Sequence, residues 1–249
     1  MVTPRPAAEP TGWGIGFYQG GEVLHKKRPR LEGAGPAWQQ EAEDIRSDCV
    51  LMHLRQPTVG DFRAQNTHPF RMRQWIFAHI GTIPRFSAIR PRIYDSLPDF
   101  LQRNIRGTTD SEAFFHLILS FLHDAGQLAN PDIDDRHGLA AIRSAAALID
   151  RLGAEIGTPP STLNSVLTNG RKMFAFRRGA PMALVRRTGF HDPRPGTPPT
   201  EASAGSLLRY VMIVSDGPET PRDWEDMAPD SIAVIDRNLD VTLYPARPH

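Results

Sequence analysis

The sequence predicts an α+β fold, in which strands near both ends of the chain form sheets and two long central helices cover them. Three observations carry this prediction: short apolar runs before residue 83, helical periodicity between residues 95 and 156, and further short apolar runs from residue 163 onward. Because the strands precede and follow the helices instead of alternating with them, α+β is favoured over alternating α/β. A length of 249 residues suits one large domain.

The N-terminal part begins with a predicted disordered tail over residues 1–11, which holds three prolines. We expect residues 12–249 to form a single domain. Residues 12–18 and 22–27 flank Gly20-Gly21, and this arrangement predicts a hairpin with a glycine turn.

A short basic cluster at the end of this hairpin is typical of a solvated strand end. It comprises Lys26, Lys27, Arg28 and Arg30. Residues 36–46 then fit a short helix that leads into the next strand.

Two predicted strands, residues 50–54 and 75–79, bracket a polar loop. The strand end and the loop carry Arg55, Thr58, Asn66 and His68. An arginine fixed at a strand end can bind a carboxylate through two hydrogen bonds, so this end of the sheet is a candidate binding site. The alternative for Arg55 is a surface salt bridge. Gly81, which closes the tripeptide His79-Ile80-Gly81, fits a tight turn or a close backbone approach.

The central helices are predicted from apolar spacing. Residues 95–105 repeat apolar side chains at helical intervals. Residues 109–112 have the form of a capping box, with Thr109 as N-cap, and open a helix with a broad apolar stripe. Asp110 is therefore either a first-turn residue that the helix dipole favours or a ligand-binding group. Residues 138–156 predict a second long helix.

The C-terminal part is β-rich. Residues 163–167 and 172–176 flank Asn169-Gly170, the strongest short turn signal, and predict a hairpin. Further strands are predicted over residues 182–187, 207–214, 232–236 and 241–244, the last two forming a terminal hairpin.

Composition excludes several classes of partner. Lysine and arginine number 29 against 28 acidic residues, and a formal charge of +1 predicts neither nucleic acid nor an anionic membrane as partner. The single cysteine excludes an internal disulfide and fits a reducing compartment. No apolar run approaches the ~20 residues that span a bilayer, and no signal-peptide core is visible. We predict a cytoplasmic protein.

No metal or cofactor is predicted. Nine histidines occur, and His53, His68 and His79 fall around the polar loop, but no pair has a ligand spacing such as His-Glu-x-x-His. The glycines of residues 12–16 lack the following helix that would direct N–H groups at a phosphate.

Seven short motifs follow one another in a fixed order. They are Gly12-Trp13-Gly14-Ile15-Gly16-Phe17, His53-Leu54-Arg55 with Thr58, Asn66-Thr67-His68-Pro69, Phe77-Ala78-His79-Ile80-Gly81, Gly107-Thr108-Thr109-Asp110-Ser111-Glu112, Thr168-Asn169-Gly170 and residues 229–236. The set resembles the class II glutamine amidotransferases, the N-terminal-nucleophile family that hydrolyses the side-chain amide of glutamine. It is most similar to the small stand-alone type that includes γ-glutamyl hydrolases.

This resemblance implies an N-terminal-nucleophile-hydrolase-like αββα sandwich, two antiparallel sheets between helical layers, truncated here at its N-terminus. It implies a glutamine or γ-glutamyl substrate whose α-carboxylate is bound by Arg55 and whose ammonium is bound by Asp110. Thr58 and His68 would line the pocket, and Gly81 would offer one oxyanion N–H. The family's nucleophile is an N-terminal cysteine whose own α-amino group acts as base.

Two departures from the family pattern concern the chemistry. Residue 2 is Val2, and the one cysteine, Cys49, lies within an apolar strand pattern where a buried structural thiol is expected. Ile80 replaces the family's oxyanion asparagine, and loss of one such donor costs ~10²–10³ in rate.

The sequence therefore predicts an impaired or inactive amide hydrolase. The alternative is a non-catalytic relative, a pseudoenzyme, which binds glutamine or serves as a protein-interaction module. Because the family's opening strand is missing from the pattern, we expect either that residues 12–18 occupy its place or that a homo-oligomer or a partner chain completes the sheet.

Overall fold

The computed structural model describes residues 12–29, 38–55, 62–189, 208–215 and 224–247. Its strands are β1 (Gly12–Gln19), β2 (Glu22–Arg28), β3 (Val50–Arg55), β4 (Phe70–Met72), β5 (Trp75–Thr82), β6 (Thr162–Thr168), β7 (Met173–Arg177), β8 (Met182–Thr188), β9 (Arg209–Ser215), β10 (Glu225–Asp226), β11 (Ser231–Ile235) and β12 (Val241–Pro245). Its helices are α1 (Trp38–Glu43), α2 (Phe86–Asp95), α3 (Asp99–Gln102), α4 (Asp110–Asp124) and α5 (Asp135–Glu155). The tail predicted over residues 1–11 and the candidate Thr58 lie outside the described residues.

The described strands form three antiparallel sheets. The largest has six strands in the order β12-β11-β7-β6-β5-β4, and the two smaller sheets have the orders β2-β1-β3 and β10-β8-β9. The hairpins predicted around Gly20-Gly21 and Asn169-Gly170 are confirmed as β1-β2 and β6-β7, and the terminal hairpin is confirmed as β11-β12.

Alternation along β5 shows how the layers stack. Trp75 and Phe77 pack in the large core with side chains of α4 and α5. Ile76 and Ala78 point to the opposite face, where they pack against Leu51 of β3. The six-stranded sheet therefore has the helices on one face and a small sheet on the other.

The same alternation recurs at the far side of the large sheet. Ile232 of β11 faces the helices, whereas Ala233 packs with Leu184 of β8. On the outer surface of the β2-β1-β3 sheet, Trp38 of α1 packs against Trp13 and its neighbours along β1. The order of layers is thus helices, large sheet, two small sheets and α1, and the predicted αββα sandwich is confirmed.

Close approach between the layers depends on glycine in β1. A Cβ added to Gly14 would overlap the carbonyl oxygen of His68, and it would also crowd Pro69, which follows a cis peptide bond. The loop that carries His68 is therefore pressed against the inner face of β1.

The helix predicted over residues 95–105 is wrong in its limits. The structure has a longer helix earlier, α2, and only the four-residue α3 within the predicted range. Pro91 lies inside α2 and removes an N–H donor, yet the carbonyl of Ser87 that it would have served lies on the exposed face, where water can bind it. Burial of Ile89 and Ile93 against the core maintains the helix around this proline.

Within the described residues, no helix combines the length and the apolar character needed to cross a bilayer.

Candidate functional site

Arg55 lies at the end of β3 and faces the space between the sheets. Along β3, Leu51 packs toward the large sheet, whereas Met52 and Leu54 pack toward α1. Alternation therefore places His53 and Arg55 on the inner face with Leu51. Arg55 is only 5% exposed, and its guanidinium carbon lies 5.2 Å from the ring centroid of Phe62. A cation held this firmly is suited to binding an anion in one orientation.

Two histidines stack next to this arginine. The ring centroids of His53 and His68 are 4.2 Å apart, and His68 meets the edge of Phe70 at 4.6 Å. Burial lowers the pKa of His53 to about 4, and burial followed by the neighbouring His53 lowers the pKa of His68 well below its usual value. Both rings are therefore neutral at neutral pH.

These two rings each present a buried nitrogen to the interior. His53 Nδ1 and His68 Nε2 have no hydrogen-bond partner among the described residues. Buried polar atoms in folded proteins are usually paired, so such atoms commonly mark a functional site. The inner face between β3 and the loop after it thus combines a fixed cation with unpaired polar atoms.

His79 belongs to the other face of β5. Its Nε2 lies 3.1 Å from the carbonyl oxygen of Thr162, and its Nδ1 lies 2.8 Å from Ser111 Oγ. Because a carbonyl oxygen can only accept, Nε2 carries the proton and Nδ1 accepts from the Ser111 hydroxyl. Burial lowers the pKa of His79, although the charge of Asp110 opposes this, and the neutral ring fits both contacts.

Asp110 joins this network from the first turn of α4. Its Oδ2 accepts from the N–H of Ile83, just beyond β5, at 2.9 Å, and its Oδ1 accepts from the N–H of Ser111 at 2.8 Å. The carboxylate is 5% exposed and is therefore fixed at the C-terminal end of β5. A carboxylate has about four acceptor positions, so capacity remains for an ammonium group.

Ile80 and Gly81 follow His79 near the end of β5. Ile80 pairs with Asn164 of β6, and the asparagine amide is fully engaged by Ala180, Ser215 and Arg178. Both N–H groups of the Asn164 amide are therefore engaged within the structure. A Cβ added to Gly81 would overlap the Thr162 carbonyl, so the close backbone approach predicted for this glycine is confirmed.

Hydrogen bonds join the loop that carries Asn66 and His68 to the loop that precedes α4. Asn66 Oδ1 accepts from the N–H of Thr108 at 2.9 Å, and Glu112 accepts from the N–H groups of Arg106 at 2.9 Å and Gly107 at 2.6 Å. Glu112 thus binds the preceding loop and not the N-cap itself, which is how it differs from an ordinary capping box. The Asn66 and Glu112 motifs fix the loop of His68 to the start of α4.

Cys49 is placed as a structural thiol. It precedes β3 directly, and its Sγ lies 3.6 Å from Thr168 Oγ1. Burial raises its pKa, which keeps the sulfur protonated and a poor nucleophile at neutral pH. No group of three His, Cys, Asp or Glu side chains suited to a metal ion occurs in the described part of the chain.

The predicted site residues thus separate into two groups. Arg55 lies on the inner face, where His68 stacks on His53, whereas Asp110 is bound by Ile83 and Ser111 where the end of β5 meets α4. Sequence reasoning missed Ser111 and Phe62, the side chains that hold His79 and cover Arg55. Ser111 lies within one of the motifs, but its contact with His79 joins residues 32 positions apart, and no spacing rule predicts such a pairing.

Comparison with known proteins identifies a family and several relatives. The family model described as "Glutamine amidotransferases class-II" matches residues 4–242. A probable glutamine amidotransferase of Saccharomyces cerevisiae is 27% identical over 259 residues, which cover 94% of this chain and 71% of the yeast protein. The gamma-glutamyl-hercynylcysteine sulfoxide hydrolase of Mycobacterium tuberculosis strain H37Rv is 26% identical over 177 residues, covering 71% of this chain and 62% of the relative.

Solved structures show the same fold. A glutamine aminotransferase class-II domain protein from Silicibacter pomeroyi superposes with a TM-score of 0.65 at 23% identity, covering 95% of this chain and 92% of its own. Glutamine phosphoribosylpyrophosphate amidotransferase from B. subtilis gives a TM-score of 0.56 at 12% identity, with 96% of this chain and 44% of the enzyme covered. Together with the match over residues 4–242, these results show that the chain belongs to the class II glutamine amidotransferases.

Proposed function

We propose that this chain binds glutamine or a γ-glutamyl compound by its amino-acid end, and that its amide hydrolysis is weak or absent in the form that the sequence gives. The observation that carries the proposal is Arg55, a buried arginine fixed on the inner face beside His53 and His68. Guanidinium groups bind carboxylates through two parallel hydrogen bonds, so Arg55 is assigned the α-carboxylate.

The rest of the ligand follows from the family roles. The family role assigns the ammonium group to Asp110, whose carboxylate is fixed by two backbone N–H groups where β5 ends. Because the α-carboxylate and the ammonium share one carbon, this assignment requires the ligand to lie at the end of β5, within reach of both Arg55 and Asp110. His68 and Thr58 are assigned to the pocket wall, and the N–H of Gly81 is assigned to the amide oxygen. The relative in Mycobacterium tuberculosis is named for a γ-glutamyl substrate, which makes γ-glutamyl compounds ligands to test beside glutamine.

The proposed loss of amide hydrolysis is based on Ile80 and Cys49. A hydrocarbon side chain stands at the position where the family has its oxyanion asparagine, and it cannot stabilise a developing negative charge. The one cysteine in the sequence is a half-buried thiol whose pKa is raised by desolvation, so it does not replace the family's activated nucleophile.

Binding is tested by thermal unfolding with added glutamine. A ligand at ~100 times its Kd adds ~2.7 kcal/mol, and for a protein of this size we expect the Tm to rise by about 5–10 °C. Arg55→Ala should remove the shift. Arg90→Ala, at an exposed position on α2, is the matched control and should retain it. No shift in the unaltered chain contradicts binding and leaves the protein-interaction module as the hypothesis, whereas an equal shift in Arg55→Ala contradicts the role of Arg55.

Hydrolysis is tested by glutamate release from glutamine. We expect none above background from this chain. A version extended to the next upstream start, if that start supplies a cysteine after its methionine, should gain activity that Ile80→Asn raises by ~10²–10³. Turnover by the present chain that Ile80→Asn leaves unchanged would show that the amide is cleaved by other groups.

A further inference from the structure

The basic cluster at the end of β2 divides between the two faces of its strand. Lys26 and Arg28 point outward and pair with Glu41 of α1 at 2.8 and 3.3 Å. Lys27 stands opposite Gly14 in the β1-β2 register, so it points inward, toward the loop that carries His68. Of the three members that the structure describes, Lys26 and Arg28 are thus at a solvated strand end, whereas Lys27 is not; Arg30 lies outside the described residues.

The ammonium group of Lys27 lies beside an aromatic ring. Its Nζ lies 5.5 Å from the ring centroid of Phe70, and Phe70 contacts His68 at 4.6 Å. Among the described residues no carboxylate lies within ion-pair distance of Lys27. The charge of Glu112 acts favourably on Lys27 from beyond ion-pair distance.

Lys27 and Arg55 both lie on the inner face of the β2-β1-β3 sheet. After burial and the other two histidines, the positive charges of Lys27 and Arg55 both contribute to the low pKa of His68. Burial also lowers the pKa of Lys27 itself, to about 8. A partly buried ammonium without a partner is unfavourable, and such groups are commonly placed to receive an anion from a ligand.

We propose that the ammonium group of Lys27 binds a second carboxylate of the ligand, on the amine attached to the γ-carbonyl, while Arg55 binds the α-carboxylate. The site then prefers γ-glutamyl compounds that end in a free carboxylate over glutamine. This inference rests on the proposed function, since it assumes that Arg55 and Asp110 hold the amino-acid end.

Three ligands separate the two proposals. Glutamine carries one carboxylate, γ-glutamylglycine carries two, and γ-glutamylglycinamide has the same length as the dipeptide without the second charge. We expect calorimetric titration at pH 7 to give a Kd for γ-glutamylglycine about tenfold below that for its amide. Absence of glutamine binding would refute the proposed function, whereas glutamine binding with equal Kd values for the dipeptide and its amide would refute only the role of Lys27.

Variants test the residue directly. Lys27→Met should equalise the two Kd values and leave glutamine binding unchanged, which also shows that the variant is folded. Lys27→Arg keeps the positive charge and should therefore still bind γ-glutamylglycine more tightly than its amide. Lys26→Met, the outward-facing neighbour, is the matched control and should retain the full preference. A preference that survives Lys27→Met, or one that disappears equally in Lys26→Met, overturns the inference.

The pH dependence gives a readout that a purely structural lysine would not produce. Because the pKa of Lys27 is about 8, the ammonium loses its charge as pH rises through this value. The preference for γ-glutamylglycine over its amide should therefore fall between pH 7 and pH 9. A ratio that stays constant over this range, with glutamine still bound, contradicts an ammonium contact.

Discussion

At the scale of single residues, Asp110 shows how one side chain serves both the fold and the candidate site. Its two oxygens bind the N–H of Ile83 beyond β5 and the N–H of Ser111 in α4, which joins the large sheet to the helix layer. A carboxylate that is fixed in this way loses little freedom when a ligand arrives, so its structural bonds also organise it for binding.

Asp110→Asn should lower stability even without ligand. An amide has one oxygen and one NH₂ group, so one of the two backbone donors is left facing another donor, at a cost of about 1–3 kcal/mol. Urea unfolding at pH 7 measures this loss. Asp99→Asn, at the exposed first residue of α3, is the matched control and should change stability little. An Asp110→Asn protein as stable as the parent would show that these bonds contribute nothing.

Much of the site could be predicted at this scale, and the failures have a physical cause. Arg55 and His68 were identified by motif, and the structure places both on the inner face. Lys27 was grouped with Lys26 and Arg28, although alternation along β2 separates them. Which face of a hairpin is inward depends on the layer it packs against, and that contact joins residues far apart in sequence.

At the scale of elements, the start of α4 is the best-defined helix end. Thr109 Oγ1 accepts from the N–H of Glu112 at 3.2 Å, as the capping pattern predicts. Glu112 then extends this cap into the loop of Arg106 and Gly107. The helix that supplies Asp110 is thus fixed by its own first turn and by the loop before it.

Thr109→Ala should cost about 1 kcal/mol by removing the cap. Thr109→Ser keeps the hydroxyl and should recover most of that loss. Chemical denaturation of both variants measures the difference. Equal losses in the two variants would attribute the effect to the methyl group of the buried threonine and not to the hydrogen bond.

Helix limits were less predictable than strand positions. The apolar spacing over residues 95–105 reflects real burial, since Leu97 and Leu101 are buried, but Pro98 precedes α3 and separates it from α2. In α2, packing of Ile89 and Ile93 overrides the local signal of Pro91. Tertiary contact thus decides whether a proline interrupts a helix, and such contact is not visible in a short window.

At the scale of the whole molecule, the sandwich arises from alternating strands that bury both faces of the large sheet. The hairpins were predictable because turn chemistry is local. The pairing of β5 with β6 was not, because it joins strands on either side of the helical region, and residues as far apart as Ile76 and Thr168 are opposed. Motif order supplied this long-range information only through the resemblance to the family.

Three histidines around the site, of which His68 and His79 are buried and His53 is partly buried, make the folded state sensitive to acid. Burial is the main cause that lowers the pKa of His53, His68 and His79, and for His53 the value is about 4. The unfolded chain, with an ordinary histidine pKa near 6.5, binds more protons between pH 6.5 and 4. Protonation of these residues should therefore leave the free energy of unfolding unchanged above pH 6.5. It should lower that free energy as the pH decreases through this window.

His53 alone should account for about 3 kcal/mol of this loss, because one pKa unit corresponds to ~1.4 kcal/mol. Glu112 acts in the opposite sense, since burial raises its pKa, so the comparison has to be made between variants. His53→Gln keeps a donor toward the backbone of His79 and should lose less stability between pH 6.5 and 4 than the parent. His123→Gln, at an exposed position of α4, should follow the parent. Urea unfolding at intervals across this range measures the slopes, and parallel slopes for the parent and His53→Gln would mean that His53 is protonated in the folded state at the same pH as in the unfolded chain.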